Sequence, residues 1–111
     1  MPDDPASKWN EAWRDRTEPG EVARVLTDYQ HLLPARGRCL DVACGLGGNS
    51  LWLAKQGLEV DAWDISEVAI EKLNRFAEQQ GLSIKTRVVD ATKTVIPMNT
   101  YDCIFVGHFL E

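Results

Sequence analysis

Residues 39–65 read CLDVACGLGGNSLWLAKQGLEVDAWDI, and the punctuation of this stretch decides the fold. Cys39 to Ala43 is a short apolar run without helical period, and the loop Cys44-Gly45-Leu46-Gly47-Gly48-Asn49 ends it with three glycines. From Asn49 the pattern fits a helix that stops at Gly57, and Leu58 to Trp63 is a second strand with Asp64 at its end. The stretch is therefore strand, glycine loop, helix, strand.

Working outward toward the C-terminus, Ser66 is placed to cap a helix whose apolar stripe is Ala69, Ile70, Leu73, Phe76 and Ala77 and which closes at Gly81. Glu71 and Arg75 support it as an i,i+4 pair. Ser83 to Val89 is a third strand leading to Asp90, and Tyr101 to Phe105 a fourth, with the turn-like stretch ATKTVIPMNT between them. Toward the N-terminus the chain reads as helical to about residue 35. Val22, Val25, Leu26, Tyr29, Leu32 and Leu33 recur at helical spacing from Pro19 to Leu33, and Pro34 stops the pattern.

Alternating strand and helix argues for an α/β class, a doubly wound, mainly parallel sheet with helices on both faces. Right-handed crossovers place strands two and three on one side of strand one and strand four on the other, an order of 3-2-1-4. The chain is expected to form a single domain over 1–111, with an N-terminal helical cap at 1–35 and a ligand-binding half at 36–111.

Composition narrows the function classes. With 111 residues there is room for one modest core, and 17 acidic against 12 basic side chains, net −5, give no basic footprint for a nucleic acid or an anionic membrane. No apolar run approaches the roughly 18 residues of a membrane span, and the acidic start MPDDPASKWNEAW is unlike a secretory leader. A cytoplasmic protein is expected. Cys39, Cys44 and Cys103 form no C-x-x-C pair and no zinc-finger spacing, which predicts free thiols and no metal.

In a sheet of this order, ligands sit at the carboxyl ends of the strands where the order reverses, beside strand one. Gly45 and Gly47 let backbone approach a ligand, and the helix after them offers N–H donors. Asp64, 19 residues after Gly45, is placed to accept from two ribose hydroxyls, and Asp90 from an amino group. Together they describe an adenosine site. The competing readings are a helix start stabilised by its dipole for Asp64 and a turn former for Asp90.

Asp41-Val42-Ala43-Cys44-Gly45-Leu46-Gly47 resembles the first motif, Asp/Glu-x-Gly-x-Gly-x-Gly, of the class I S-adenosylmethionine-dependent methyltransferases, with Ala43 in place of the first glycine. The longer stretch LDVACGLGGNSLWLAKQGLEVDAWDIS is similar to the tellurite-resistance and thiopurine methyltransferase-like branch, in which Asn49 follows the loop and a tryptophan-rich N-terminal helix covers the cofactor. The resemblance implies a Rossmann-like methyltransferase fold and S-adenosylmethionine as cofactor, with S-adenosylhomocysteine as product. It implies that Asp41, Ala43, Cys44, Gly45, Gly47 and Asn49 form the loop side of the site. Asp64 with Ile65 would take the ribose, Asp90 with Ala91 would frame the adenine, and Trp9 and Trp13 would form the lid. A packing stripe is the alternative for the two tryptophans, and a small buried residue the alternative for Cys44. Trp52 and Trp63 read as core, and His108 is too isolated to name as a base.

The implied reaction is in-line methyl transfer to a small-molecule acceptor, which rests on proximity and orientation and needs neither a triad nor a metal. Full members of the family continue beyond strand four, so the chain reads as their N-terminal half. Strand four then has an open edge, and a two-fold dimer through that edge is expected. Two other functions compete. One is a nicotinamide or flavin dinucleotide site, for which Ser50 stands where the third glycine would fall. The other is a non-catalytic nucleoside-binding or oligomeric module.

Overall fold

The computed structural model describes residues 5–20, 22–28, 30–33 and 36–106. Helix α1 (Pro5–Arg14) and the short α2 (Arg24–Asp28) precede β1 (Arg38–Val42), α3 (Gly48–Lys55), β2 (Glu59–Asp64), α4 (Glu67–Gln79), β3 (Ile84–Val88) and β4 (Cys103–Val106). Single 3-10 turns lie at Gln30–Leu32, Ala91–Lys93 and Met98–Thr100. The sheet is parallel throughout and runs β3-β2-β1-β4.

Residues alternate between the two faces of β1, and both faces are covered, which is why the strand reads as a short apolar run interrupted only by Asp41. Cys39 packs with Val60 beneath Leu53 of α3 and Leu26 of α2. On β2 the same face carries Ala62, which meets Leu51 of α3 and Ile70, Leu73 and Ala77 of α4. Leu40, Val42 and Trp63 point the other way, under Val89, Ala91, Ile96, Tyr101 and Ile104. Helices α3 and α4 thus share one face, because both crossovers, β1 to β2 and β2 to β3, step in the same direction. The reversal that sets β4 beside β1 carries the chain over the opposite face, and this second winding is built from 3-10 turns rather than an α-helix.

Helix α4 begins as its sequence indicates. Ser66 is the N-cap, its Oγ accepting from Ala69 N at 3.1 Å, and the Glu71–Arg75 pair forms on the exposed side. Trp63 is buried and Trp52 half-buried in the core, as expected.

The N-terminal region differs from its pattern. A continuous helix from Pro19 to Leu33 does not form: Gly20 has φ +92°, outside the helical range, and α2 starts only at Arg24. The backbone N–H of Ala23 is drawn instead to Asn49 Oδ1 at 2.7 Å, which ties this segment to the start of α3. Leu26 reaches the core, and Val22 and Leu33 pack against it, but Leu32 is 70% exposed. Tyr29, Pro34 and His108 lie outside the described residues.

The first helix is α1 instead. Trp13 packs on Leu46 and Ala69, Trp9 stacks on Trp13 with centroids 6.0 Å apart, and Lys72 of α4 grips the end of α1. Lys72 Nζ donates to the carbonyl oxygens of Trp13 and Arg14 at the helix C-terminus and of Arg16 just beyond it, at 2.7, 2.6 and 2.5 Å.

Candidate functional site

The carboxyl ends of β1 and β2 bring the glycine loop, Asp41 and Asp64 together. Beyond β1 the ladder continues for one more bond, Cys44 N to Trp63 O at 3.0 Å, before the chain turns away through Ala43, Gly45 and Gly47. All three have positive φ, 58°, 57° and 90°. Ala43, standing where the related motif has glycine, is thus an L-residue in the left-handed region, and that position favours glycine for its backbone as well as its size.

Gly47 has a second constraint. A Cβ there would lie 2.1 Å from Leu73 Cδ1, so this glycine serves the close packing of the loop on α4. Gly47 is also the left-handed N-cap of α3, with no side-chain cap. The first N–H groups of α3 are therefore the polar groups that the helix leaves at the mouth of the loop.

Asp64 is buried and held at both oxygens. Gly45 N donates to Oδ2 and Ser66 N to Oδ1, each at 2.8 Å.

Asp41 is fully buried on the α3 side of β1. Ser50 Oγ donates to its Oδ2 at 2.6 Å, while Oδ1 is buried without a hydrogen-bond partner. Burial pushes the carboxyl up to about 7, opposed by the Ser50 hydrogen bond and reinforced by the charge of Asp64. In the sequence Ser50 stands out only as a departure from the dinucleotide fingerprint. The cue to its role was its position at the third residue of α3, facing the strand it follows.

The remaining expected residues divide. Cys44 is buried with its thiol pushed well up by desolvation, then by the charges of Asp41 and Asp64, which suits a packing residue rather than a nucleophile. Ile65 is half-buried beside Asp64. Asn49 holds Ala23 N through its Oδ1, so part of its polar capacity goes to the N-terminal segment. Asp90 caps the 3-10 turn at Ala91–Lys93, accepting from Thr92 N at 3.0 Å and Thr92 Oγ1 at 2.5 Å, which holds its carboxyl below the usual range. Ala91 packs under Trp63. The pair therefore stands at the end of β3, next along the sheet from Asp64, with Asp90 also doing the work of a turn former. Trp13 lies against Leu46 of the loop, joining the packing reading to a place at the site's edge.

Two open clefts, of about 440 and 420 Å³, lie at the opposite ends of the strands. They are lined by Glu59, Asp61 and Lys85, and by Arg36, Arg38 and Asp102, and neither touches the glycine loop. No group of three or more metal-ligating side chains occurs among the described residues, and no helix among them is long and apolar enough to cross a membrane.

Comparisons with known proteins agree with this fold. The family model described as a methyltransferase domain matches residues 39–111. The probable S-adenosyl-L-methionine-dependent methyltransferase TehB of Haemophilus influenzae is 40% identical over 67 residues, 60% of this chain and 23% of that protein. The thiopurine S-methyltransferase of Teredinibacter turnerae is 36% identical over 72 residues, 61% of this chain and 34% of that protein. The crystal structure of TehB from Haemophilus influenzae superposes with a TM-score of 0.67 at 26% identity, covering 91% of this chain and 33% of that one. The chain thus spans about a quarter to a third of the length of these two curated relatives.

Proposed function

The chain belongs to the methyltransferase domain family, and on that premise we propose that it binds S-adenosylmethionine at the glycine loop and serves methyl transfer to a small-molecule acceptor. The observation that carries the reading is the pair of buried carboxylates flanking the loop. Asp64 is preset by Gly45 N and Ser66 N, and Asp41 has one oxygen buried without a partner.

These groups fit the cofactor by donor and acceptor chemistry. A ribose diol and an amino-acid ammonium bring donors, and the site offers carboxylate acceptors. The dinucleotide fingerprint instead has a glycine where Ser50 stands and gives no reason for Asp41 at the end of β1, and this favours the sulfonium nucleoside over NAD or FAD. Asp64 takes the ribose, Asp41 orders the loop and the methionine end, and Asp90 and Ala91 flank the adenine. The N–H groups of α3, with Ala43, Cys44, Gly45 and Gly47, form the wall. Trp9 and Trp13 close the loop side from α1.

When bound, S-adenosylmethionine supplies a methyl group on a sulfonium, open to in-line attack by an acceptor lone pair. The chain's own residues bind and orient, and the acceptor's class stays a proposal, supported by the small-molecule substrate in the name of the thiopurine enzyme. A cytoplasmic location belongs to the same proposal, and tagging the chain and finding it exported would remove it. So does a two-fold pairing through the outer edge of β4, which stands at the end of the sheet. A monomer in light scattering would remove that pairing.

The test is calorimetric titration with S-adenosylhomocysteine, which is stable and needs no acceptor. Micromolar binding is expected, lost by about ten-fold or more in Asp64→Ala, since hydrogen bonds to a charged acceptor contribute about 1.5 to 3 kcal/mol each. Tighter binding of NAD than of S-adenosylhomocysteine would overturn the reading.

A further inference from the structure

The two N–H groups that hold Asp64 belong to two separate elements, the glycine loop and the first turn of α4. Helix α1 braces both. Trp13 packs on Leu46, the residue after Gly45, and Asn10 accepts from Ser66 Oγ at 2.6 Å and from Val68 N at 3.3 Å. The amide orientation of Asn10 is fixed by chemistry: Val68 N is a donor only, so the atom facing it is the oxygen.

Ser66 is fully buried and engaged three ways. Its Oγ–H goes to Asn10, its Oγ accepts from Ala69 N, and its own N–H goes to Asp64 Oδ1. A hydroxyl has a single proton, and sending it to Asn10 leaves the lone pairs for the cap. Lys72, one turn beyond the cap cluster on α4, fastens the other end of α1, so Asn10 is held from both directions.

We propose that Asn10 is a positioning residue for the nucleoside site: by fixing Ser66 and the first turn of α4, it sets the orientation in which the Asp64 carboxylate meets the ribose. This deepens the proposed function and rests on it, and it gives α1 a part distinct from a lid. Asn10 acts on the ligand through the acid that binds it, without touching it.

Three variants decide the matter. Asn10→Ala removes the acceptor. Asn10→Asp keeps an acceptor at a helix N-terminus that favours negative charge. Leu26→Val lowers stability in the core under α3, away from Ser66. Titration with S-adenosylhomocysteine is expected to give about ten-fold weaker binding for Asn10→Ala, of the order of one or two lost hydrogen bonds. Recovery is expected in Asn10→Asp, and no change in Leu26→Val. Amide exchange of Gly45 and Ser66, followed by NMR without ligand, is expected to quicken in Asn10→Ala.

Binding by Asn10→Ala equal to the parent overturns the proposal, as does equal weakening by Leu26→Val. If the parent itself does not bind, the nucleoside reading falls and exchange decides the positioning alone. Unchanged Gly45 and Ser66 amides in Asn10→Ala then overturn it, and faster ones support it.

Discussion

Replacing Asp41 by asparagine should make the folded chain less sensitive to pH, and the size of the effect follows from burial. The carboxyl has an ordinary value of 3.8 and is pushed up to about 7 in the fold. Between these two values the unfolded chain has lost the proton that the folded chain keeps. Raising the pH therefore favours unfolding by about 1.4 kcal/mol per pH unit. The cost is absent below the unfolded value, accumulates to about 4 kcal/mol, and is complete above the folded value. Asparagine carries no charge at any of these pH values, keeps an acceptor for Ser50 Oγ–H, and nearly matches the volume. Urea unfolding of both chains isolates the effect, because titrating groups that do not interact with Asp41, Asp90 among them, cancel in the difference. The stability of Asp41→Asn relative to the parent should be greater at about pH 7 than at about pH 5 by about 2 kcal/mol. A difference that stays constant across that window would show that Asp41 is ionised in the fold and that its burial is compensated.

Two substitutions in the glycine loop should move stability in opposite directions. Ala43→Gly relieves an L-residue at φ 58°, a strain of about 1 to 2 kcal/mol partly offset by about 0.5 to 1 kcal/mol of added chain entropy. A rise in Tm of a few degrees is expected in thermal melts followed by circular dichroism, and a fall would refute the strain argument. Gly47→Ala places a Cβ 2.1 Å from Leu73 Cδ1 at φ 90°, which should cost about 3 kcal/mol in urea unfolding from overpacking and backbone strain together. Stability equal to the parent would mean that Leu73 yields freely.

The strand order was legible because it follows from few choices. The pattern of Cys39 to Asp64 names two strands and a crossover, and handedness does the rest. Ser66 was legible as a cap because its hydroxyl acts within its own helix, on Ala69 N. Asp64 stood out because its chemistry lies at the end of a strand, which the sequence marks. What stayed hidden depends on contacts between distant segments. Asn10 meets Ser66 across 56 residues, and Asn49 meets Ala23 across 26. No periodicity encodes such partners. The pattern from Pro19 to Leu33 has the right spacing for a helix, yet Gly20 and the tether at Ala23 leave only Arg24–Asp28 helical. Asp41 was legible as part of a motif. That its carboxyl is pushed up toward neutrality depends on how completely the fold removes it from water, which no single residue states.

The register of the sheet also bears on how the chain assembles itself. Arg38 pairs with Glu59 and Val60 with Ile84, spans of 21 and 24 residues, whereas Cys39 pairs with Cys103 across 64. Closing the longest of these loops costs about 1 kcal/mol more chain entropy than closing the shortest. The three strands that pair with near neighbours, together with α3 and α4, can therefore condense before β4 arrives. During synthesis the glycine loop and Asp64 leave the ribosome some forty residues ahead of Cys103. The acid and the loop that are to meet a nucleoside can be in contact while the fourth strand is still being made.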